Sequence, residues 1–115
     1  MQFFQPKELP KIMVAPNGVR PMKKDHQKVP ITIEEIVNTA KLCFREGAGA
    51  IHFHIRDKDS QHILSANECS DALLKLNNEV PNMHLQITTE AVGRYSPEEM
   101  RKYAYDVSPP GISIA

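Results

Sequence analysis

The sequence is short of disulfide-forming residues, of surplus charge and of long apolar runs, and each shortage closes off a class of protein. Its two cysteines, Cys43 and Cys69, make no disulfide framework. Both fall in segments with helical patterning, where a buried free thiol is the default. Acidic and basic residues balance at 14 each, so no bulk charge directs the chain to nucleic acid or to an anionic membrane. No stretch reaches the length of a membrane span, and Met1-Gln2-Phe3-Phe4 carries no signal-peptide pattern. The expectation is a cytoplasmic protein with neither nucleic acid nor membrane as partner. What is left is a globular chain of 115 residues, 41% of them hydrophobic, enough for one small domain or part of a larger one.

The apolar segments follow a regular alternation. Residues 1–10 form a polar leader, expected to be loose. Lys11-Ile12-Met13-Val14-Ala15 reads as a buried strand stopped by Pro16-Asn17-Gly18. A long polar loop from Pro16 to Pro30 follows, and loops of that length in compact domains are usually functional. Thr32 is an N-cap with Glu34 and Glu35 in the first turn, where the helix dipole favours negative charge. Ile36, Val37, Ala40, Leu42, Cys43 and Phe44 supply that helix's apolar stripe, and Gly47 ends it.

Ala50 to Ile55 is the second strand. Ser65 opens a helix to about Asn78 with Ala72, Leu73 and Leu76 inward, and Met83 to Thr89 is the third strand. Ser96-Pro97-Glu98-Glu99 starts a short third helix, and Ile112 to Ala115 begins a fourth strand. A β-α-β-α-β-α-β order implies a parallel sheet, either the first half of a (β/α)₈ barrel or a doubly wound sheet. Arg20, His52, His54, Arg56, Asp57, Thr88, Thr89 and Glu90 lie at or just after the carboxyl ends of several strands. That placement favours the barrel, whose active sites sit there, over a single switch point. The domain reading is therefore a leader over 1–10 and the N-terminal half of a barrel over 11–115.

The chemistry concentrates in Ile51-His52-Phe53-His54-Ile55-Arg56-Asp57. On a strand, residues i and i+2 share a face, so His52 and His54 project side by side with Arg56 on that face. Two imidazoles so placed can share a transition metal such as zinc; an edge strand with two solvated histidines is the alternative. Arg56 and Asp57 read as groups that orient the site or pair within the loop. Thr88 and Thr89 are also good strand formers. Arg94 and Tyr95 could reach the phosphates of coenzyme A or an acidic substrate, or be plain surface. His26, His62 and His84 have no partner at ligand spacing and read as solvated or packing residues.

Pro30-Ile31-Thr32, Ile51-His52-Phe53-His54-Ile55-Arg56-Asp57 and Gln86-Ile87-Thr88-Thr89, in this order, resemble the β-keto acid cleavage enzymes, the 3-keto-5-aminohexanoate cleavage enzymes among them. Thr89-Glu90-Ala91-Val92-Gly93-Arg94-Tyr95-Ser96-Pro97-Glu98-Glu99 resembles one subset of that family. The similarity runs from about Lys11 to Ala115. The resemblance implies a zinc-dependent TIM barrel that exchanges an acyl group between a β-keto acid and acetyl-CoA by retro-Claisen cleavage, giving acetoacetate and a new acyl-CoA. It makes His52 and His54 two zinc ligands and Thr88 a substrate-touching hydroxyl, with Ser113 a second one on the fourth strand. Arg20 stands where the family member acting on an aminated keto acid has a glutamate facing the amine. A guanidinium there repels an ammonium and favours a carboxylate or hydroxyl.

The family's third zinc ligand, a glutamate, and the arginine and aspartate that prepare the substrate belong to late strands. The catalytic groups are therefore expected beyond residue 115, and this chain alone is expected to be inactive and prone to aggregate unless a complementing half or a second copy joins it. Two further classes stay open: a metal-dependent hydrolase barrel, and a non-catalytic remnant or assembly fragment of the same fold.

Overall fold

A computed structural model describes residues 2–115. Four strands alternate with three helices: β1 (Met13–Val14), α1 (Ile33–Arg45), β2 (Ala50–His52), α2 (Ala66–Glu79), β3 (His84–Thr88), α3 (Pro97–Val107) and β4 (Ile112–Ser113). The helix starts follow their capping chemistry. Thr32 and Ser96 each accept the N–H three residues on, while Glu35 and Glu99 return a carboxylate to the cap backbone, closing two capping boxes. Ser65 caps α2 by accepting from Glu68 N–H.

The strands pair in parallel in the order β1-β2-β3-β4, with Met13 beside Ala50 beside His84, His52 beside Gln86, and Thr88 beside Ser113. Right-handed crossovers that always step the same way across a sheet leave every helix on one face. In agreement, α1 packs on α2 and α2 on α3. A doubly wound sheet reverses its strand order at a switch point, and no reversal occurs here. The chain has the α/β form of a half-barrel.

The core lies between the helices and that face of the sheet. Ile36, Val37 and Ala40 of α1, Ala72, Leu73 and Leu76 of α2, and Tyr103 of α3 meet Ile51, Phe53, Leu85 and Ile87. Each large apolar side chain buried there stabilises the fold by about 1.5–3 kcal/mol. Leu42 and Phe44 depart from the expected stripe and are exposed, and Cys43 is only partly buried. Leu42 lies about 240° around the helix from Ile36 at 3.6 residues per turn, and therefore points away from the sheet. Cys69 does behave as a buried thiol; burial pushes it up to about 11.

The leader is not loose throughout. Phe3 packs against the core, and Gln5 Nε2 donates to Pro110 O at 3.2 Å. The chain entering β4 runs so close to β3 that a Cβ on Gly111 would stand 2.8 Å from His84 Nε2, which leaves room only for glycine. No helix among the described residues is long and apolar enough to cross a membrane.

Candidate active site

Strand alternation sends Ile51, Leu85 and Ile87 into the helices, so His52, Gln86, Thr88 and Ser113 occupy the opposite face, toward the carboxyl ends of the strands. His52 Nδ1 lies 2.6 Å from Gln86 Oε1, its neighbour across the ladder. A carbonyl oxygen only accepts, so this contact places the His52 proton on Nδ1 and leaves a lone pair on Nε2. That Nε2 stands 3.2 Å from His54 Nε2.

His54 is held by its backbone. Asn17, 2% exposed, accepts from His54 N–H at 3.1 Å through Oδ1 and donates through Nδ2 to His54 O at 2.8 Å and Pro30 O at 3.1 Å. One buried amide thereby ties both ends of the β1–α1 loop to the end of β2. Burial, with smaller contributions from His52 and His62, lowers the His54 imidazole to about 3, so it is neutral across the physiological range. Neutral imidazole is the form that ligates metals.

The donor set suits a metal in one respect and falls short in another. Two nitrogens bound at zinc's usual 2.0–2.1 Å in a tetrahedron are about 3.3–3.4 Å apart, close to the separation of the two Nε2 atoms. His54 Nδ1 is buried without a partner, as is His62 Nδ1. Yet among the described residues no group of three or more His, Cys, Asp or Glu is gathered as ligands. The residues fit two positions of a zinc site and supply no third.

Arg56 and Asp57 serve the backbone. The buried Arg56 guanidinium donates to Pro21 O at 2.9 Å, Ser60 O at 3.0 Å, Asn17 O at 3.0 Å and Gly18 O at 2.8 Å. The sequence places it on the histidines' face; in the structure its Nη groups are taken up by the loop after β1 and the turn after β2, and its Nε is buried without a partner. Beyond His52 the chain leaves the regular ladder, so alternation no longer decides direction. Asp57 Oδ1 caps its own turn, accepting from Asp59 N–H at 2.8 Å and Gln61 N–H at 3.0 Å.

Thr88 and Ser113 come together. Ser113 Oγ donates to Thr88 Oγ1 at 3.2 Å, and Glu90 N–H donates to the same oxygen at 2.9 Å. Thr89 instead straps β3 to β4, donating to Ser113 O at 3.1 Å and accepting from Ala115 N–H at 3.0 Å. Arg20 stands apart from the histidines, exposed on the wall of a pocket shared with His62 and Arg94.

Three residues of this site carry no obvious mark in the sequence. Asn17 reads as a turn residue, and Gln86 as a polar alternate of β3. His62 reads as a bystander, yet its ring lies edge-on to His54 at 5.2 Å while its Nε2 meets Glu90 O at 2.7 Å. Of the three, Gln86 had a usable signal, since β2 and β3 in register set it beside His52.

The parallel βα half-barrel thus carries one histidine at the end of its second strand, another just beyond it, and hydroxyls on its third and fourth strands. The family model described as beta-keto acid cleavage enzyme matches residues 11–114, and the chain belongs to this family. Among curated relatives, the 3-oxoadipate:acetyl-CoA acetyltransferase of Cupriavidus necator is 31% identical over 78 residues, covering 68% of this chain and 28% of that protein. The 3-keto-5-aminohexanoate cleavage enzyme of Acetoanaerobium sticklandii is 31% identical over 85 residues, covering 73% of this chain and 31% of that enzyme. The match thus spans under a third of either relative. The apo structure of ObcA shares the fold, with a TM-score of 0.54 at 17% identity over 76% of this chain and 26% of that one.

Proposed function

We propose that this chain supplies the metal-holding and hydroxyl-bearing part of a site that cleaves a β-keto acid by acyl exchange with acetyl-CoA, yielding acetoacetate and an acyl-CoA. The observation that carries the reading is the His52–His54 pair, with its Nε2 atoms 3.2 Å apart and the His52 tautomer fixed by Gln86. Family membership supports it, as do the names of the relatives, one an acetyl-CoA acetyltransferase acting on 3-oxoadipate and the other a cleavage enzyme for a 3-keto acid.

His52 and His54 would hold the zinc ion, which when bound polarises the keto oxygen and stabilises negative charge developing on it. Gln86 and Asn17 keep the two rings in place, one through a ring nitrogen and the other through the backbone. Thr88 Oγ1 already accepts from Ser113 and from Glu90 N–H, so its own proton is left to donate to a substrate oxygen. Arg20 offers a cation to the substrate's far end and disfavours an ammonium there.

A catalytic zinc site takes three protein ligands and keeps a position for water. The third ligand and the acid–base groups are therefore assigned to a complementing polypeptide or a further stretch of barrel. Two measurements test this. Zinc uptake by the chain should fall to background in His52→Ala and His54→Ala; unchanged uptake in both ends the metal assignment. Acetoacetate formation from a β-keto acid and acetyl-CoA should be undetectable with the chain alone, and clear turnover would show that no complement is needed.

A further inference from the structure

His62 is built into the end of the sheet more firmly than its place in a turn suggests. It is 3% exposed and bridges back to Arg56 in antiparallel register, with Ile63 N–H on Ile55 O at 3.0 Å. Its carbonyl oxygen accepts from Arg94 Nη1 at 3.0 Å. Its ring Nε2 meets Glu90 O at 2.7 Å. Glu90 is fixed in turn, its N–H on Thr88 Oγ1 at 2.9 Å and its Oε1 accepting from Val92 N–H at 3.3 Å. The imidazole is thus tied at one nitrogen to the loop after β3.

A carbonyl oxygen only accepts, so the contact with Glu90 places a His62 proton on Nε2. His62 Nδ1 is buried without a partner. A proton there would make a buried cation with an unanswered N–H, so this nitrogen keeps its lone pair. The other ring nitrogen left without a partner beyond β2 is His54 Nδ1. The two rings stand edge-on, 63° between their planes and 5.2 Å between centroids. An imidazole nitrogen lies about 1.2 Å from its ring centre, so rings at that separation can bring two nitrogens to about 2.8 Å, within hydrogen-bond range.

The proton on His54 has to answer to both neighbours. Gln86 keeps the His52 proton on Nδ1, so His52 Nε2 accepts, and at 3.2 Å the His54 proton sits on Nε2. A metal held by the pair needs the opposite arrangement, with the His54 Nε2 lone pair free and the proton on Nδ1. There the unpartnered lone pair beside it is that of His62.

We propose that His62 is a positioning residue for His54: its Nδ1 accepts the proton that His54 must carry on Nδ1 when His54 Nε2 ligates a metal. This rests on the metal reading above and adds a residue to it. Gln86 and His62 then serve the two histidines alike, each holding the proton of the nitrogen that faces away from the metal. The change within His54 is a tautomer shift: one proton leaves Nε2, one is taken up at Nδ1, and the ring is neutral before and after.

The test uses the 115-residue chain with zinc alone, read by imidazole nitrogen NMR and by chelator competition. Without zinc the His54 proton should be on Nε2; with zinc it should be on Nδ1 and coupled to His62 Nδ1. These spectra need only the wild-type chain, so they decide the point even where a variant does not fold. His62→Gln keeps a donor for Glu90 O and removes the δ acceptor. It should weaken zinc binding about 10–100-fold with the urea midpoint nearly unmoved. His62→Asn sets a carbonyl oxygen at the δ position and should recover most of that loss. Equal zinc affinity in wild type and His62→Gln overturns the proposal, as does an equal loss in the Gln and Asn variants, which marks His62 as packing alone. A His54 proton that stays on Nε2 with zinc bound overturns it too. If the wild-type chain takes up no zinc, the metal reading and this assignment fall together; zinc uptake that needs His52 and His54 but ignores His62 removes this assignment alone.

Discussion

On the face packed by α1, α2 and α3, Ile51, Phe53, Leu85 and Ile87 are each 2% exposed or less and belong to the hydrophobic core cluster. Across the same backbone, His52, Gln86, Thr88 and Ser113 bond to one another in pairs. A parallel sheet covered by helices on both sides is apolar on both. Here one face is spent on stability and the other on placing nitrogen and oxygen atoms. The burial cost of polar groups makes such a face worth keeping only where each member has a partner or a task. Buried ring nitrogens without a partner occur on His54 and His62 beyond the carboxyl end of β2 and also on His84 at the start of β3.

The sharpest way to break the contrast is to cut one residue from each face. Phe53→Ala should cost about 3–5 kcal/mol, read from the urea midpoint, because the cavity cannot collapse between sheet and helices. Gln86→Ala should leave that midpoint nearly unmoved and weaken zinc binding about 10–100-fold in a chelator competition, the effect expected when an imidazole loses the partner of its other nitrogen. If Gln86→Ala unfolds the chain as readily as Phe53→Ala, the two faces do the same job and the contrast fails.

The smallest effect concerns the rim. The hydrogen bond from Lys23, then the N–H groups of the capping box, hold the Glu35 carboxyl down to about 2 from an ordinary 4.5. A depressed carboxyl stabilises the folded state above its unfolded value and loses that contribution as pH falls, here from 4.5 to about 2. Lys23→Gln should flatten this part of the acid-stability profile. Both side chains are more than a third exposed, so the change should stay within the ~0.2–1 kcal/mol of exposed ion pairs.

Much of this was legible in the residues. The three capped helices and the alternation of β2 and β3 follow from local chemistry: Thr32, Ser65 and Ser96 have few other uses for their hydroxyls at those positions. The histidine pair was legible because only one residue separates its members at the end of β2, although His54 itself lies past the strand. Asn17, His62 and the turned Arg56 were not, because their roles depend on which loop lies over which strand end. Asn17 meets His54 across 37 residues and Arg56 meets Asn17 across 39, and no local period reports such distances. Leu42 leaves the stripe for a simpler reason: its hydrophobicity says nothing of its angle, which turns it away from the buried Ile36.

The strand order β1-β2-β3-β4 has a consequence for how the chain is made. Each strand's neighbour in the sheet is the one just synthesised, so every βα unit leaving the ribosome finds its docking partner already waiting. Assembly can proceed vectorially, with no strand held open for one still to come. All the groups of the Asn17 and Arg56 clasps around His54 lie before residue 61, and so are synthesised ahead of β3 and of Gln86, the partner of His52.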